Sequence, residues 1–286
     1  MRNILILAGD VRFDDAYFTI FEDDSHREKA EKVVNTAKTL KESLSCCKGT
    51  NVYIVGDGRS TLSLDQIEQA MNNLDNDTPL TIIYSGHGKV GEDGFEFITG
   101  KNYTIKVQDM FNLIRQKRNN HPVDFFSEAC YGGAMHNARN ILPDNSVLVS
   151  LTDAETINNG SDFTDFAENF PKDTTLDLTA KNILSLFMQT SLTNRFPPCI
   201  SKSSGGMYNL NKLYLDFVYG WQKIGNLQEN ASEGLLLPST LELIPKLNDA
   251  KQEYDIVAKE YGKALALVFE DKCQKLKAMN KSSERV

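Results

Sequence analysis

His87 and Cys130 each close an apolar run, and each brings a group suited to acyl transfer. The first run, TPLTIIYSGHG, spans residues 78–88 and stops at His87-Gly88. The second, VDFFSEACYGG, spans residues 123–133 and stops at Cys130 and two glycines. An imidazole beside a thiol can generate a sulfur nucleophile and protonate a leaving group. Gly88 has no side chain, so its N–H can approach a substrate carbonyl. With the N–H of Cys130 it would form an oxyanion hole. Gly132 and Gly133 open a helix in this reading, and a helix N-terminus beside Cys130 favours thiolate.

This chemistry requires both residues at one edge of one sheet. The apolar run at 2–8 and NVYIVG at 51–56 read as two strands, and the runs ending at His87 and Cys130 as a third and fourth. SVLVSLT at 146–152 reads as a fifth, and CISKSSGG at 199–206 as a sixth, at the sheet edge. Helical periodicity lies between them. Ala30, Val33, Val34, Ala37, Leu40 and Leu44 share one face of a helix over 26–45, which Ser25 could cap. Ser63 with Gln66 forms a capping-box pattern before Ile67, Ala70, Met71 and Leu74. A hairpin is expected around Gly100-Lys101-Asn102, then a helix with Val107, Met110, Phe111 and Ile114. Further helices fit 176–190 and 209–224.

Strands alternating with helices predict an α/β sandwich of three layers. Its sheet would be mostly parallel and six-stranded, with helices on both faces. In such sheets functional groups gather beyond the carboxyl ends of the strands. The expected catalytic domain covers residues 1–224, and residues 225–286 form a helical C-terminal region. Leu247, Tyr254, Val257, Tyr261 and Val268 draw an apolar stripe there, to pack on the same domain or to serve as a dimer or partner surface.

Bulk composition narrows the partners. At 286 residues, 41% hydrophobic and 24% charged, the chain can bury a large core. A net charge of −8 and a pI near 5.1 argue against nucleic acid or an anionic membrane. No apolar stretch reaches the roughly 20 residues that span a bilayer. The start, MRNILILAG, has too short an apolar run for a signal peptide. The expected location is the cytoplasm, or export without a cleavable signal. The five cysteines, Cys46, Cys47, Cys130, Cys199 and Cys273, have neither disulfide-framework nor zinc-site spacing.

IIYSGHG followed about 40 residues later by FFSEACYGGAM resembles the caspase-like cysteine peptidases, among them legumains, caspases, metacaspases and gingipains. EACYGGAM, residues 128–135, is similar to the legumain pattern E-A-C-x-S-G-S-M, with Gly132 and Ala134 replacing its two serines. The caspase pattern Q-A-C-x-G matches except at Glu128. The resemblance implies a caspase-like sandwich that cleaves protein or peptide substrates through a Cys130–His87 dyad, without cofactor or metal. It places Glu128 in the pocket for the side chain before the scissile bond. A carboxylate there favours a basic residue or Asn and repels Asp. The resemblance also brings Arg12, Ser161 and Asp165 to that pocket. Asp165 could instead cap a helix, and Arg12 could pair with Asp14 or Asp15. His136 competes for the base role, but its position on the helix after Cys130 points it away from the sheet edge. His121 reads as a surface residue. Two alternatives stay open: an inactive caspase-like scaffold working through the C-terminal helix, and a legumain-like peptide ligase.

Overall fold

The computed structural model describes residues 1–9, 24–152, 154–155, 162–168, 170, 183, 199–209 and 259. Strand β1 (Arg2–Ala8) lies between β2 (Thr50–Val55) and β3 (Leu80–Ser85), parallel to both. The sheet continues through β7 (Val123–Ser127) and β8 (Val147–Ser150), each parallel to its predecessor. It turns antiparallel at β9 (Cys199–Lys202), where Ser150 pairs with Cys199. These are the six expected strands. A short seventh, β10 (Met207–Asn209), follows β9, so β9 is not at the edge. The sixth run ends at Lys202 because Ser203–Gly205 form a turn, closed by Gly205 N–H donating to Lys202 O at 3.1 Å.

Both side-chain parities of the central strands are buried, as a sheet covered on two faces requires. On one face Leu5, Leu7, Leu80, Ile82, Tyr84, Val123, Phe125 and Leu148 share a core with two helices. Helix α2 (Leu64–Asn72) supplies Ile67 and Met71; α3 (Val107–Lys117) supplies Met110, Phe111 and Ile114. Ile4, Ile6, Ile83, Phe126 and Val149, of opposite parity, are buried as well. Helix α1 (Asp24–Leu44) packs against β1, β2 and the short α4 (Asp162–Glu168). Burying a side chain of this size contributes about 1.5–3 kcal/mol. The capping box at α2 is present: Gln66 N–H donates to Ser63 Oγ, and Ser63 N–H to Gln66 Oε1 at 2.9 Å.

A second, three-stranded antiparallel sheet interrupts the chain between β3 and α3. It consists of β4 (His87–Gly91), β5 (Gly94–Gly100) and β6 (Tyr103–Lys106). Its Phe95, Phe97 and Ile105 enter the main core. The expected hairpin is the β5–β6 connection. Two local readings change. The third strand ends at Ser85, and His87 opens β4, paired with Ile98. The segment after Cys130, Gly132–Ile141, is 3-10 helical rather than α-helical.

The chain divides into two compact units, Met1–Met207 and Tyr208–Val286. The helices expected over 176–190 and 209–224, the 224/225 boundary and the C-terminal stripe lie outside the described residues. No helix among the described residues is long and apolar enough to cross a membrane.

Candidate active site

Strands β3 and β7 are parallel neighbours in register, Tyr84 opposite Ser127, so the residues after them leave the sheet side by side. Glu128 N–H donates to Tyr84 O, and Ser85 Oγ donates to Glu128 Oε1 at 2.5 Å. From that edge one chain turns into β4 at His87 and the other into the turn at Cys130. The two meet at Gly88. A Cβ there would lie 2.8 Å from Cys130 O, 2.9 Å from Ala129 Cβ and 2.6 Å from Phe95 Cζ. Only glycine fits that approach, and it sets the His-Gly and Cys segments backbone against backbone. His87 and Cys130 are both half-buried. No disulfide joins the described cysteines.

Each segment is held from beneath. The hydroxyl of Tyr84 lies 2.9 Å from both His87 O and Ile98 O, and its single proton is shared between them. Burial, and then the negative charge of Glu128, raise the Tyr84 phenol well above its usual range, so it stays a donor. On the other side, Tyr131 adopts a left-handed conformation, φ 58° and ψ 21°, which costs a non-glycine residue free energy. Gly132 N–H donates to Ala129 O at 3.2 Å across this turn, and Thr152 braces it from outside: its Oγ1 donates to Ala129 O at 2.8 Å and accepts from Gly132 N–H at 2.7 Å. Ser127 Oγ accepts from Ala129 N–H at 3.2 Å.

Glu128 is buried, 3% exposed. Its Oε1 is bonded to Ser85 and its Oε2 accepts from Phe163 N–H at 3.1 Å. The carboxylate therefore ties α4 to the end of β3, and two carboxylate oxygens can accept about four hydrogen bonds in all. Asp165 is the fourth residue of α4, inside the helix, so it does not cap it. Its side chain, Arg12 and Ser161 lie outside the described residues.

His136 is fully buried between Ser201 and Ser150, at 2.7 and 3.1 Å. The Ser150 hydroxyl spends its proton on Thr152 O at 2.7 Å, so it accepts from His136 Nε2–H, and Nδ1 accepts from Ser201. Burial, with Arg139 nearby, pushes the imidazole down to about 3. This is a neutral packing histidine with both nitrogens engaged, facing β8 and β9. His121 lies at the surface, 3.8 Å from Asp77. Among the described residues no group of three or more His, Cys, Asp or Glu is placed to hold a metal ion.

The sequence alone did not single out Tyr84 or Thr152. Tyr84 reads as one more member of an apolar strand. Thr152 follows a strand and meets a partner 23 residues away, which no local pattern encodes.

No family model and no curated protein matches this chain. A crystal structure of the Drosophila initiator caspase Dronc is similar at 10% identity, covering 73% of this chain and 83% of that one, with a TM-score of 0.41.

Proposed function

We propose that this protein is a caspase-like cysteine endopeptidase with Cys130 as nucleophile and His87 as general base and acid. The approach of Gly88 to the Ala129–Cys130 backbone carries the reading, because it brings two motifs 43 residues apart to one sheet edge. The motif resemblance to legumains and caspases supports it.

His87 takes the thiol proton, and the Cys130 sulfur forms a bond to the scissile carbonyl carbon. The carbonyl π electrons move to oxygen, where the N–H groups of Gly88 and Cys130 stabilise the charge. The intermediate collapses, the C–N bond breaks, and the leaving amine takes its proton from the His87 imidazolium. Water, deprotonated by His87, then attacks the thioester, and the thiolate leaves with release of the acid. Each proton is accounted for within the pair.

Glu128 supplies a negative charge beneath the pocket for the preceding side chain. Cleavage is expected after Arg, Lys or Asn and not after Asp, since two carboxylates brought together in a buried site cost several kcal/mol. A positional peptide library with purified protein, run beside Cys130→Ala, tests activity and specificity together. Turnover that survives Cys130→Ala, or a preference for Asp, would refute the corresponding part. Aminolysis of a trapped acyl-enzyme faster than hydrolysis would point to a ligase instead.

A further inference from the structure

We propose that Thr152 is a positioning residue for the nucleophile, its hydroxyl clamping both ends of the Ala129–Gly132 turn that presents Cys130. The inference rests on Cys130 being the nucleophile. Thr152 is 2% exposed and stands just beyond β8, the neighbour of the strand that leads to Cys130. Its one hydroxyl uses both capacities on this turn, donating to Ala129 O and accepting from Gly132 N–H. Cys130 and Tyr131 are the only residues between those two bonds. Tyr131 is held in the left-handed region, and the enclosing turn has to offset that cost.

The space is fitted as well. A Cβ on Gly132 would come within 3.1 Å of Thr152 Oγ1 and 2.9 Å of Ser150 Cβ. Any side chain at 132 would wedge the clamp open. The clamp itself is anchored: Ser150 Oγ donates to the Thr152 carbonyl, and His136, fixed by Ser201 on β9, donates to Ser150. A continuous set of hydrogen bonds thus runs from β9 to the two residues flanking the Cys130–Tyr131 pair. A thiol attacking a carbonyl tolerates little displacement. About 1 Å of misplacement costs around a hundredfold in rate.

The test uses the full chain. Thr152→Val keeps the side-chain shape and removes both hydrogen bonds, and Thr152→Ser restores them. Turnover of a library-selected peptide and labelling of Cys130 by an acyloxymethyl ketone are both measured, with melting temperature alongside. Thr152→Val should lower kcat and the labelling rate by at least about tenfold, and KM should stay within about twofold because Thr152 does not touch substrate. Thr152→Ser should recover both rates to within about threefold. A merely structural threonine would lower the melting temperature and leave kcat of the folded enzyme intact; that result overturns the proposal. The pair is also made in Tyr131→Gly, which relieves the left-handed strain and so favours folding where Thr152→Val alone does not fold, while the freer glycine leaves the placement of Cys130 still dependent on the Thr152 hydroxyl. There too, an unchanged kcat on loss of the hydroxyl overturns it. Cys130→Ala separates the two readings: activity in that variant removes the nucleophile and this inference with it. An inactive Cys130→Ala beside a fully active Thr152→Val removes only the clamp.

Discussion

Gly88→Ala adds one carbon where the His and Cys segments touch, and its consequences follow from distances. The new methyl would sit 2.8 Å from Cys130 O and 2.9 Å from Ala129 Cβ, about 0.6 and 0.5 Å inside an ordinary 3.4 Å contact. Phe95 Cζ would also lie only 2.6 Å from it. Phe95 is itself buried and set edge-on against Phe97, 5.0 Å between centroids, so it yields little. The strain falls on the Cys130 backbone. Catalytic groups tolerate roughly 0.5 Å, and 1 Å costs about a hundredfold. The expected loss in kcat/KM is therefore about 10- to 100-fold, or about 1.4–2.7 kcal/mol of transition-state stabilisation. Overpacking adds about 1–3 kcal/mol of destabilisation, read as a fall in Tm of about 2–4 °C per kcal/mol. Steady-state kinetics on the best library peptide, with urea unfolding of the same preparations, measure both. A Gly88→Ala enzyme with wild-type kcat/KM would refute the close approach and with it the juxtaposition of the two motifs.

Cys130→Ala and His87→Ala should each abolish turnover while the circular dichroism spectrum stays native. His136→Ala should keep at least about a tenth of the activity, since its ring nitrogens meet Ser201 and Ser150 and it reaches the Cys130 turn only through Ser150 and Thr152. His136 also sets a pH dependence of stability. Its folded pKa, about 3, lies below the unfolded 6.5, so the unfolded chain binds the extra proton and stability drops as pH falls from 6.5 toward 3. Between pH 7 and 5 this group should remove about 2 kcal/mol, visible as a urea midpoint that shifts in the wild type and shifts less in His136→Gln. Glu128→Gln should reduce cleavage after Arg or Lys relative to Asn by about tenfold; unchanged ratios in competition assays would take Glu128 out of the specificity pocket.

The strands that carry the site were legible because they are short runs dominated by apolar and aromatic residues and bounded by turn residues, TIIY and VDFF among them. The α2 capping box was legible because its signal is four residues long. His87 was misread as a strand end because HGKVG has two glycines and no apolar alternation; its strand character comes from pairing with GFEFITG. GGAMHNARNI has helical spacing, yet it starts from a left-handed Tyr131 without a side-chain cap and is buried around nearly its whole first half, conditions that tertiary packing sets. Tyr84 and Thr152 act through carbonyls on other elements, and sequence periodicity tells which face a side chain takes, not which distant oxygen it meets.

The hydrogen-bonded path from Ser201 through His136, Ser150 and Thr152 to the Cys130 turn has a consequence for synthesis. The imidazole leaves the ribosome 43 residues ahead of the thiol, and strand β8 with Thr152 comes later still. Ser201, the far anchor, is made after all of these, 71 residues behind Cys130. A nascent chain that already contains His87 and Cys130 still lacks the hydrogen bonds that fix the turn carrying Cys130. A chain ending before Cys199 carries His87 and Cys130 without the strand whose Ser201 anchors the path to the Cys130 turn. If Cys130 is the nucleophile, competence to cut would come only with nearly complete synthesis of the first unit, and the growing polypeptide would be spared premature proteolysis.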